Sequence, residues 1–135
     1  MSESFTKVKG YLVDLGLEIT QEDEAEQLVV VNNVDEGIVN LIVDCEEDVI
    51  VLEQHIFTLP AGDTGATTRR LLELNRHLVH GAFCVDGESR VLFRDTLRLD
   101  TLDFQELAGS IEALSLGMTE FGSELLAFSA EPVAA

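Results

Sequence analysis

The sequence predicts an α+β domain in which five mostly antiparallel strands form a sheet and the helices pack on one of its faces. Apolar residues recur at spacings of three and four in three segments, which is typical of amphipathic helices. Between these segments lie five short runs that are rich in β-branched residues and separated by turn-forming residues. Together these observations give the order α-β-β-β-α-β-β-α for one domain spanning residues 1–135.

The first helix is predicted over residues 4–17. Its apolar positions have helical spacing and comprise Phe5, Val8, Leu12 and Leu15. Gly16 suits the C-terminus of this helix, because glycine readily adopts the left-handed conformation that ends many helices. Residues 18–27 are polar and acidic, and the sequence does not assign a strand to them.

Three apolar runs predict an antiparallel meander, and they cover residues 28–34, 38–43 and 49–57. Val, Ile and Leu dominate these runs, whose lengths are typical of strands. Short acidic segments at residues 35–37 and 44–48 join them as turns.

From Asp63 the apolar spacing changes to that of a second helix, which is predicted to end at Gly81. The apolar face of this helix consists of Leu71, Leu72, Leu74, Leu78 and Val79. Residues 82–86 and 89–95, separated by a turn at Gly87, then predict a β-hairpin.

The last helix has the most regular apolar pattern of the chain. Its apolar positions are Phe104, Leu107, Ile111, Leu114, Met118, Phe121, Leu125 and Phe128. Asp103 precedes Glu106 by three residues, as in a capping box, and Gly117 is a position where the helix could bend. Residues 129–135 are predicted to form a frayed tail.

The strong negative charge makes some kinds of binding partner less favourable than others. The chain has 26 acidic and 8 basic residues and a net charge of −18, which disfavours nucleic acid and anionic membranes. Basic protein surfaces or divalent cations fit this charge better. No apolar segment resembles a signal peptide or approaches the roughly 20 residues of a membrane span. We therefore expect a cytoplasmic protein whose cysteines, Cys45 and Cys84, are buried free thiols.

Asp63, Thr64 and Gly65 match the Asp-Thr-Gly signature of retroviral-type aspartic proteases, in which each of two chains supplies one catalytic Asp. That chemistry requires the motif on a loop between β-strands, where two carboxylates meet and share a proton. Here the motif follows Pro60 and precedes residues with helical spacing. The sequence therefore favours an N-cap at Asp63 or Thr64, whose side-chain oxygen would accept hydrogen bonds from the first helical turn.

Other patterns of reactive or metal-binding residues carry weaker signals. His77 and His80 are three residues apart and could bind a metal ion with a third ligand such as His55, but no known metal motif includes them. An alternation of carboxylates like the start of a calcium loop comprises Asp44, Glu46 and Asp48. It lacks the loop's glycine and closing glutamate, which favours a solvated turn. Cys84 lies in a predicted strand, where nothing indicates a lowered thiol pKa. Neither an enzyme nor a cofactor is indicated.

Three of the eight basic residues recur every four positions in the fifth strand region, namely Arg90, Arg94 and Arg98. Even spacing in a strand places them on one face, with Leu92 and Thr96 between them. Val91 and Phe93 should then face the helices. The arginine-bearing face is either a solvated outer face of the sheet or a cationic strip for dimerisation or for binding an acidic segment.

The order of elements and the segment 71–114 together resemble the small acidic chaperones of type III secretion systems and the related YbjN-like domains. Members share the α-β-β-β-α-β-β-α order, a leucine-rich second helix before an Asn and a Gly, and a hairpin with an Asp-Gly turn. A leucine/aspartate link then leads into the last helix. The corresponding residues here are Leu71, Leu72, Leu74, Asn75, Gly81, Asp86, Gly87, Leu99, Asp100, Leu102 and Asp103.

The resemblance implies a non-enzymatic cytoplasmic homodimer that forms through the second helix and adjoining strands. It also implies a protein partner, either an extended segment of a secreted effector or a regulatory partner. The interface candidates carried over from the resemblance are Leu72, Arg76, Val79, Arg90, Leu92 and Arg94. The short first helix and the lack of a recognisable apolar groove leave both a secretion chaperone and a YbjN-like relative open.

Overall fold

The computed structural model describes residues 3–63 and 65–129, which contain three α-helices and six β-strands. In chain order these elements are α1 (Glu3–Asp14), β1 (Glu18–Asp23), β2 (Leu28–Asn33), β3 (Ile38–Cys45), β4 (Val49–Thr58), α2 (Ala66–Leu74), β5 (Ala82–Val85), β6 (Arg90–Arg98) and α3 (Phe104–Ser129). Short 3-10 helices cover Val34–Glu36 and Asn75–His77. Thr64 and residues 130–135, most of the predicted tail, lie outside the described ranges.

The six strands form one antiparallel sheet in the order β1-β2-β3-β4-β6-β5. The predicted α+β class is confirmed, with one more strand than the sequence suggested. Inward-facing residues such as Val29, Val43 and Leu52 are buried, whereas their outward-facing neighbours keep part of their surface exposed. We call the inward side, which α1 and α3 cover, the inner face, and the opposite side the outer face.

Strand β1 is the element that the sequence did not predict. It pairs with β2 at the edge of the sheet, and only Ile19 among its six residues is even partly buried. An edge strand with so little buried surface needs no alternation of apolar and polar residues, so residues 18–23 show no strand pattern. Thr20 lies at a bulge and donates a hydrogen bond from its hydroxyl to the Val30 carbonyl over 3.2 Å.

Helix α2 is shorter than the sequence predicted, since it begins at Ala66 and its last turn, a 3-10 turn, ends at His77 instead of Gly81. The reason is a tertiary contact of Asn75. Its side-chain oxygen accepts a hydrogen bond from the Phe83 N–H over 2.7 Å, and its amide donates to the Phe83 carbonyl over 3.1 Å. Leu78 is already extended. The chain therefore leaves the helix early and turns into β5.

The core lies between the inner face and the two long helices, as the apolar stripes predicted. The fully buried side chains include Phe5, Val8, Leu12, Leu107, Leu114 and Leu125. Val91 and Phe93 of β6 are buried on the inner face, which confirms their predicted direction. Helix α3 continues through Gly117, where a Cβ atom would lie 3.2 Å from a methyl carbon of Leu78. Glycine at this position lets the segment after α2 pack closely against α3.

Two of the predicted helix ends agree with the structure. Gly16 has a φ of +83° and follows α1, as expected for a residue that ends a helix. At the start of α3, the Asp103 carboxylate accepts a hydrogen bond from the Glu106 N–H over 2.8 Å.

Candidate partner-binding surfaces

Three of the predicted interface residues are exposed on and after α2, and we call this set (Leu72, Arg76 and Val79) the α2 surface. Leu72 is 70% exposed and Val79 is 82% exposed, and Arg76 between them is exposed as well. Arg76 takes part in none of the ion pairs formed by the described residues. Large exposed apolar side chains beside an available cation are typical of a surface that contacts protein.

The three predicted interface residues of β6 lie in a different setting. Arg90 pairs with Asp86 over 2.7 Å and Arg94 pairs with Glu53 over 2.7 Å, so nearby carboxylates compensate both guanidinium groups. Leu92 lies on the outer face between His55 and Cys84 and is buried by its neighbours. The arginines do lie on one face, but the cationic strip that their spacing suggested is neutralised within the chain.

The two edges of the sheet differ in their capacity to accept another strand. At the β5 edge, the Asn75 side chain already occupies both the N–H and the carbonyl of Phe83. At the other edge, β1 has only β2 as a neighbour. An unpaired edge offers backbone N–H and carbonyl groups to an incoming strand. Asn75 therefore blocks part of the β5 edge, whereas the β1 edge stays open to an incoming strand.

A groove opens at the beginning of β1, between the end of α1, the corner of β2 and β3, and the middle of α3. Its volume is about 460 Å³. The apolar lining residues are Leu15, Leu17, Ile38, Ile111 and Leu116, with Glu36 and Glu112 as the acidic ones. Leu116 is 61% exposed, and the Ser115 hydroxyl donates to the Glu36 carboxylate over 3.1 Å. The groove can thus accept an apolar side chain beside a basic one.

Asp63 and Gly65 of the Asp-Thr-Gly motif lie in the loop between β4 and α2. The Asp63 carboxylate accepts a hydrogen bond from the Gly65 N–H over 3.0 Å, inside its own loop. Gly65 is the N-cap residue of α2, and no side chain caps this helix. The predicted cap at Asp63 is therefore wrong in detail, because its oxygen binds an N–H that precedes the first helical turn. The alternative prediction, Thr64, lies outside the described residues.

The surroundings of the histidines and cysteines favour structural roles over metal binding or nucleophilic chemistry. His77 packs against the Phe121 ring with a centroid distance of 5.8 Å. Within residues 3–63 and 65–129, no three His, Cys, Asp or Glu side chains are placed to hold a metal ion. Cys45 and Cys84 are free thiols, and burial raises the pKa of both, that of Cys45 to about 11. Neither thiol is therefore activated as a nucleophile.

Asp44 lies in an acidic neighbourhood on the outer face. Partial burial raises the pKa of its carboxyl above the ordinary value of 3.8, and Glu46, Glu26 and Glu53 raise it further. None of the ion pairs among the described residues includes Asp44. At neutral pH this carboxylate therefore adds repulsion that no ion pair among residues 3–63 and 65–129 compensates.

We expect Asp44→Asn to stabilise the protein at pH 7 by about 0.5 kcal/mol, a small gain because solvent still screens this partly exposed group. A raised pKa means that the folded state binds the proton more tightly than the unfolded state. The ionised form therefore destabilises the fold, and this effect disappears as the pH falls through the folded pKa towards 3.8. Urea unfolding at pH 7 and near pH 4 measures the difference. Glu47→Gln, in the turn after β3, controls for net charge, and an equal gain from it would contradict the assignment to Asp44.

The open β1 edge and the groove were not found from the sequence. The groove combines residues from three separate segments, and its location depends on how α3 crosses the sheet. Leu17, next to the polar run 18–27, is the one signal that could have indicated apolar surface beside β1. Among the described residues, no helix combines the length and the apolar character needed to cross a bilayer.

The family model CesT_Tir_1 matches residues 1–131, which is nearly the whole chain. The chain belongs to the CesT_Tir_1 family. Membership of the CesT_Tir_1 family confirms the resemblance to secretion chaperones that the element order and the segment 71–114 suggested. No curated protein matches the chain in sequence.

Solved structures share the fold of this CesT_Tir_1 member at low sequence identity. YbjN from E. coli, a putative transcription regulator, is 14% identical with a TM-score of 0.65, covering 89% of this chain and 92% of its own. A chain of the heterodimeric ExoU–SpcU complex from the type III secretion system of Pseudomonas aeruginosa is 17% identical with a TM-score of 0.66, covering 90% and 97%. A chain of the ExsC–ExsE complex is 18% identical with a TM-score of 0.63 and full coverage of both chains.

Proposed function

We propose that this protein is a non-enzymatic, cytoplasmic binding protein that, as a homodimer, holds an extended segment of another protein. The observation that carries the proposal is the open β1 edge, which begins one residue after Leu17 of the groove. A segment that pairs its backbone with β1 can place an apolar side chain in the groove. Strand addition then supplies affinity, and the groove supplies selectivity for that side chain.

Charge supports a basic or neutral segment as the occupant. Glu18 and Glu22 lie on β1, and Glu36 and Glu112 line the groove. The net charge of −18 adds long-range attraction for such a segment and repulsion for nucleic acid or an anionic membrane. The ExoU–SpcU and ExsC–ExsE structures are both complexes between two proteins, which supports a protein partner such as a secreted effector.

The α2 surface supports self-association. Leu72 and Val79 would lose most of their water contact in an isologous dimer, in which each residue contributes twice. Dimerisation here leaves the β1 edge free, because Asn75 and β5 lie at the opposite end of the sheet order. One dimer would therefore carry two outward-facing β1 edges for one or two partner segments.

A second candidate function is a regulatory or adaptor role in which the protein recognises a folded partner. The similarity to YbjN, described as a putative transcription regulator, favours it. The two candidates differ in the state of the bound protein. A chaperone of the first kind protects a short extended segment, whereas an adaptor leaves its partner folded.

The test is capture of partners from the native cytosol by the tagged protein, followed by mass spectrometry and limited proteolysis of the complexes. Leu116→Asp should abolish capture by placing a charge in the groove. Leu126→Asp is the matched control, because Leu126 is a 73% exposed leucine of the same helix and does not line the groove. A short protected segment supports the chaperone role and a stably folded partner supports the adaptor. Equal capture by both variants contradicts the groove.

A further inference from the structure

The outer face of the sheet carries an apolar surface that no element of the described chain covers. Antiparallel strands with one solvated face normally alternate between apolar and polar residues. Here β2, β3 and β4 are apolar in both directions over much of their length, as the runs 28–31, 41–43 and 49–52 show. The helices cover only the inner face, so no helix covers the outward-facing half of these apolar residues.

The strand register places these uncovered apolar residues side by side. Val30 of β2 pairs with Ile42 of β3, and Val51 of β4 lies in the next row opposite Asp44. Ile42 is 41% exposed, and the other two apolar side chains are partly exposed. We call this set (Val30, Ile42, Asp44 and Val51) the outer patch. It is separate from the groove and the β1 edge.

The charge around the outer patch decides what could cover it. Asp44 lies within the patch, uncompensated by any ion pair of the described residues, and Glu46 and Glu26 add negative potential there. A partner that brings a cation next to an apolar side chain would relieve this repulsion and bury Ile42 at the same time.

A second copy of this chain is a poor occupant. In an isologous contact, Asp44 of each copy would face an equally acidic surface. The arginines on the same face cannot neutralise a second copy, because Arg94 is paired with Glu53 over 2.7 Å and Arg98 with Asp100 over 2.9 Å. The whole chain, at a net charge of −18, adds further repulsion between copies.

We propose that the outer patch is a second protein-docking surface, which binds an amphipathic segment whose apolar side chains alternate with Lys or Arg. On this arrangement the partner's apolar side chains pack on Val30, Ile42 and Val51, and a basic side chain pairs with Asp44. The surface acts independently of the β1 edge and the groove, so one molecule can contact two segments at once.

The probe is a synthetic β-hairpin peptide with Val on one face and Lys interspersed along it, titrated into the ¹⁵N-labelled protein at 150 mM salt. We expect saturable shifts of the β2, β3 and β4 amides around the outer patch. Ile42→Ser and Asp44→Asn should each weaken binding about tenfold. Leu116→Ser and Glu112→Gln, matched changes in the groove, should leave it unchanged. Amide spectra of each variant establish that it is folded.

Three results would overturn the proposal. Shifts centred on β1 and the groove, weakened by the groove variants, would assign the peptide to the site of the proposed function instead. Weak shifts spread over the acidic surface, equally reduced by Glu112→Gln and Asp44→Asn, would show non-specific attraction. Concentration-dependent shifts at Ile42 without peptide would identify a second copy of the chain as the occupant.

Discussion

The double variant Leu72→Asp, Val79→Asp should be a monomer under conditions in which the unchanged protein is a dimer, with a dimer dissociation constant raised more than 100-fold. Each substitution exchanges apolar surface for a charge, and two-fold symmetry presents every change twice. A loss of about 1.5 kcal/mol for each of the two Leu72 side chains, one from each copy, by itself raises the dimer dissociation constant more than a hundredfold. Light scattering after size exclusion over a range of concentrations measures the mass directly.

The matched control for this experiment is the double variant Val13→Asp, Val34→Asp. Both valines are exposed and lie outside the α2 surface. The control introduces two Asp residues as well, so the change in net charge is the same. We expect the control to keep the mass of the unchanged protein. An unchanged mass for the Leu72 and Val79 variant, or a strict monomer before any substitution, would contradict the α2 surface as the dimer contact.

Gln54→Met should lower the free energy of unfolding by about 2–4 kcal/mol, the largest loss we expect from any change that conserves side-chain volume. Gln54 is buried with 2% of its surface exposed. Its side-chain oxygen accepts a hydrogen bond from the Val39 N–H over 3.0 Å, and its amide donates to the Gly37 carbonyl over 3.1 Å. Methionine fills the same space but leaves the Val39 N–H and the Gly37 carbonyl without the Gln54 side chain as a partner.

Urea unfolding of Gln54→Met measures this loss, and Gln21→Met supplies the control. Gln21 undergoes the same chemical change on the exposed strand β1, where we expect an effect within about 0.5 kcal/mol. A loss for Gln54→Met no larger than that of the control would mean that the two hydrogen bonds contribute little. Gln54→Glu is a useful third variant, because it keeps the acceptor for Val39 and removes the donor to Gly37.

The helices and the inner strands could be predicted because their burial leaves a pattern in the sequence. The stripe of α3 is regular over more than twenty residues, and Val91 and Phe93 of β6 face the core while Arg90 and Arg94, at even spacing on the opposite face, are exposed. Strand β1 left no such pattern, since an edge strand buries almost nothing. The end of α2 was misplaced because Asn75 stops the helix by binding a residue eight positions ahead.

The candidate site was only partly accessible from the sequence. Leu72, Arg76 and Val79 were selected through the family resemblance, and all three are exposed in the structure, although their role in dimerisation stays a prediction. The same reasoning grouped Arg90, Leu92 and Arg94 with them. Spacing along a strand shows which face a residue lies on, but it does not show which ion pairs that residue forms. The partners Glu53 and Asp86 come from β4 and from the turn before β6.

Asn75 also limits how far copies of this chain could assemble edge to edge. Growth of a continuous sheet through many copies requires two free edges on each copy, one to receive and one to extend. Asn75 occupies the N–H and the carbonyl of Phe83 and so hinders strand addition at β5, and joining β1 to β1 ends after two copies. The carboxylates of Glu18, Glu22 and Asp23 oppose even that contact. A single amide side chain therefore helps to protect an apolar, strand-rich chain from forming filaments.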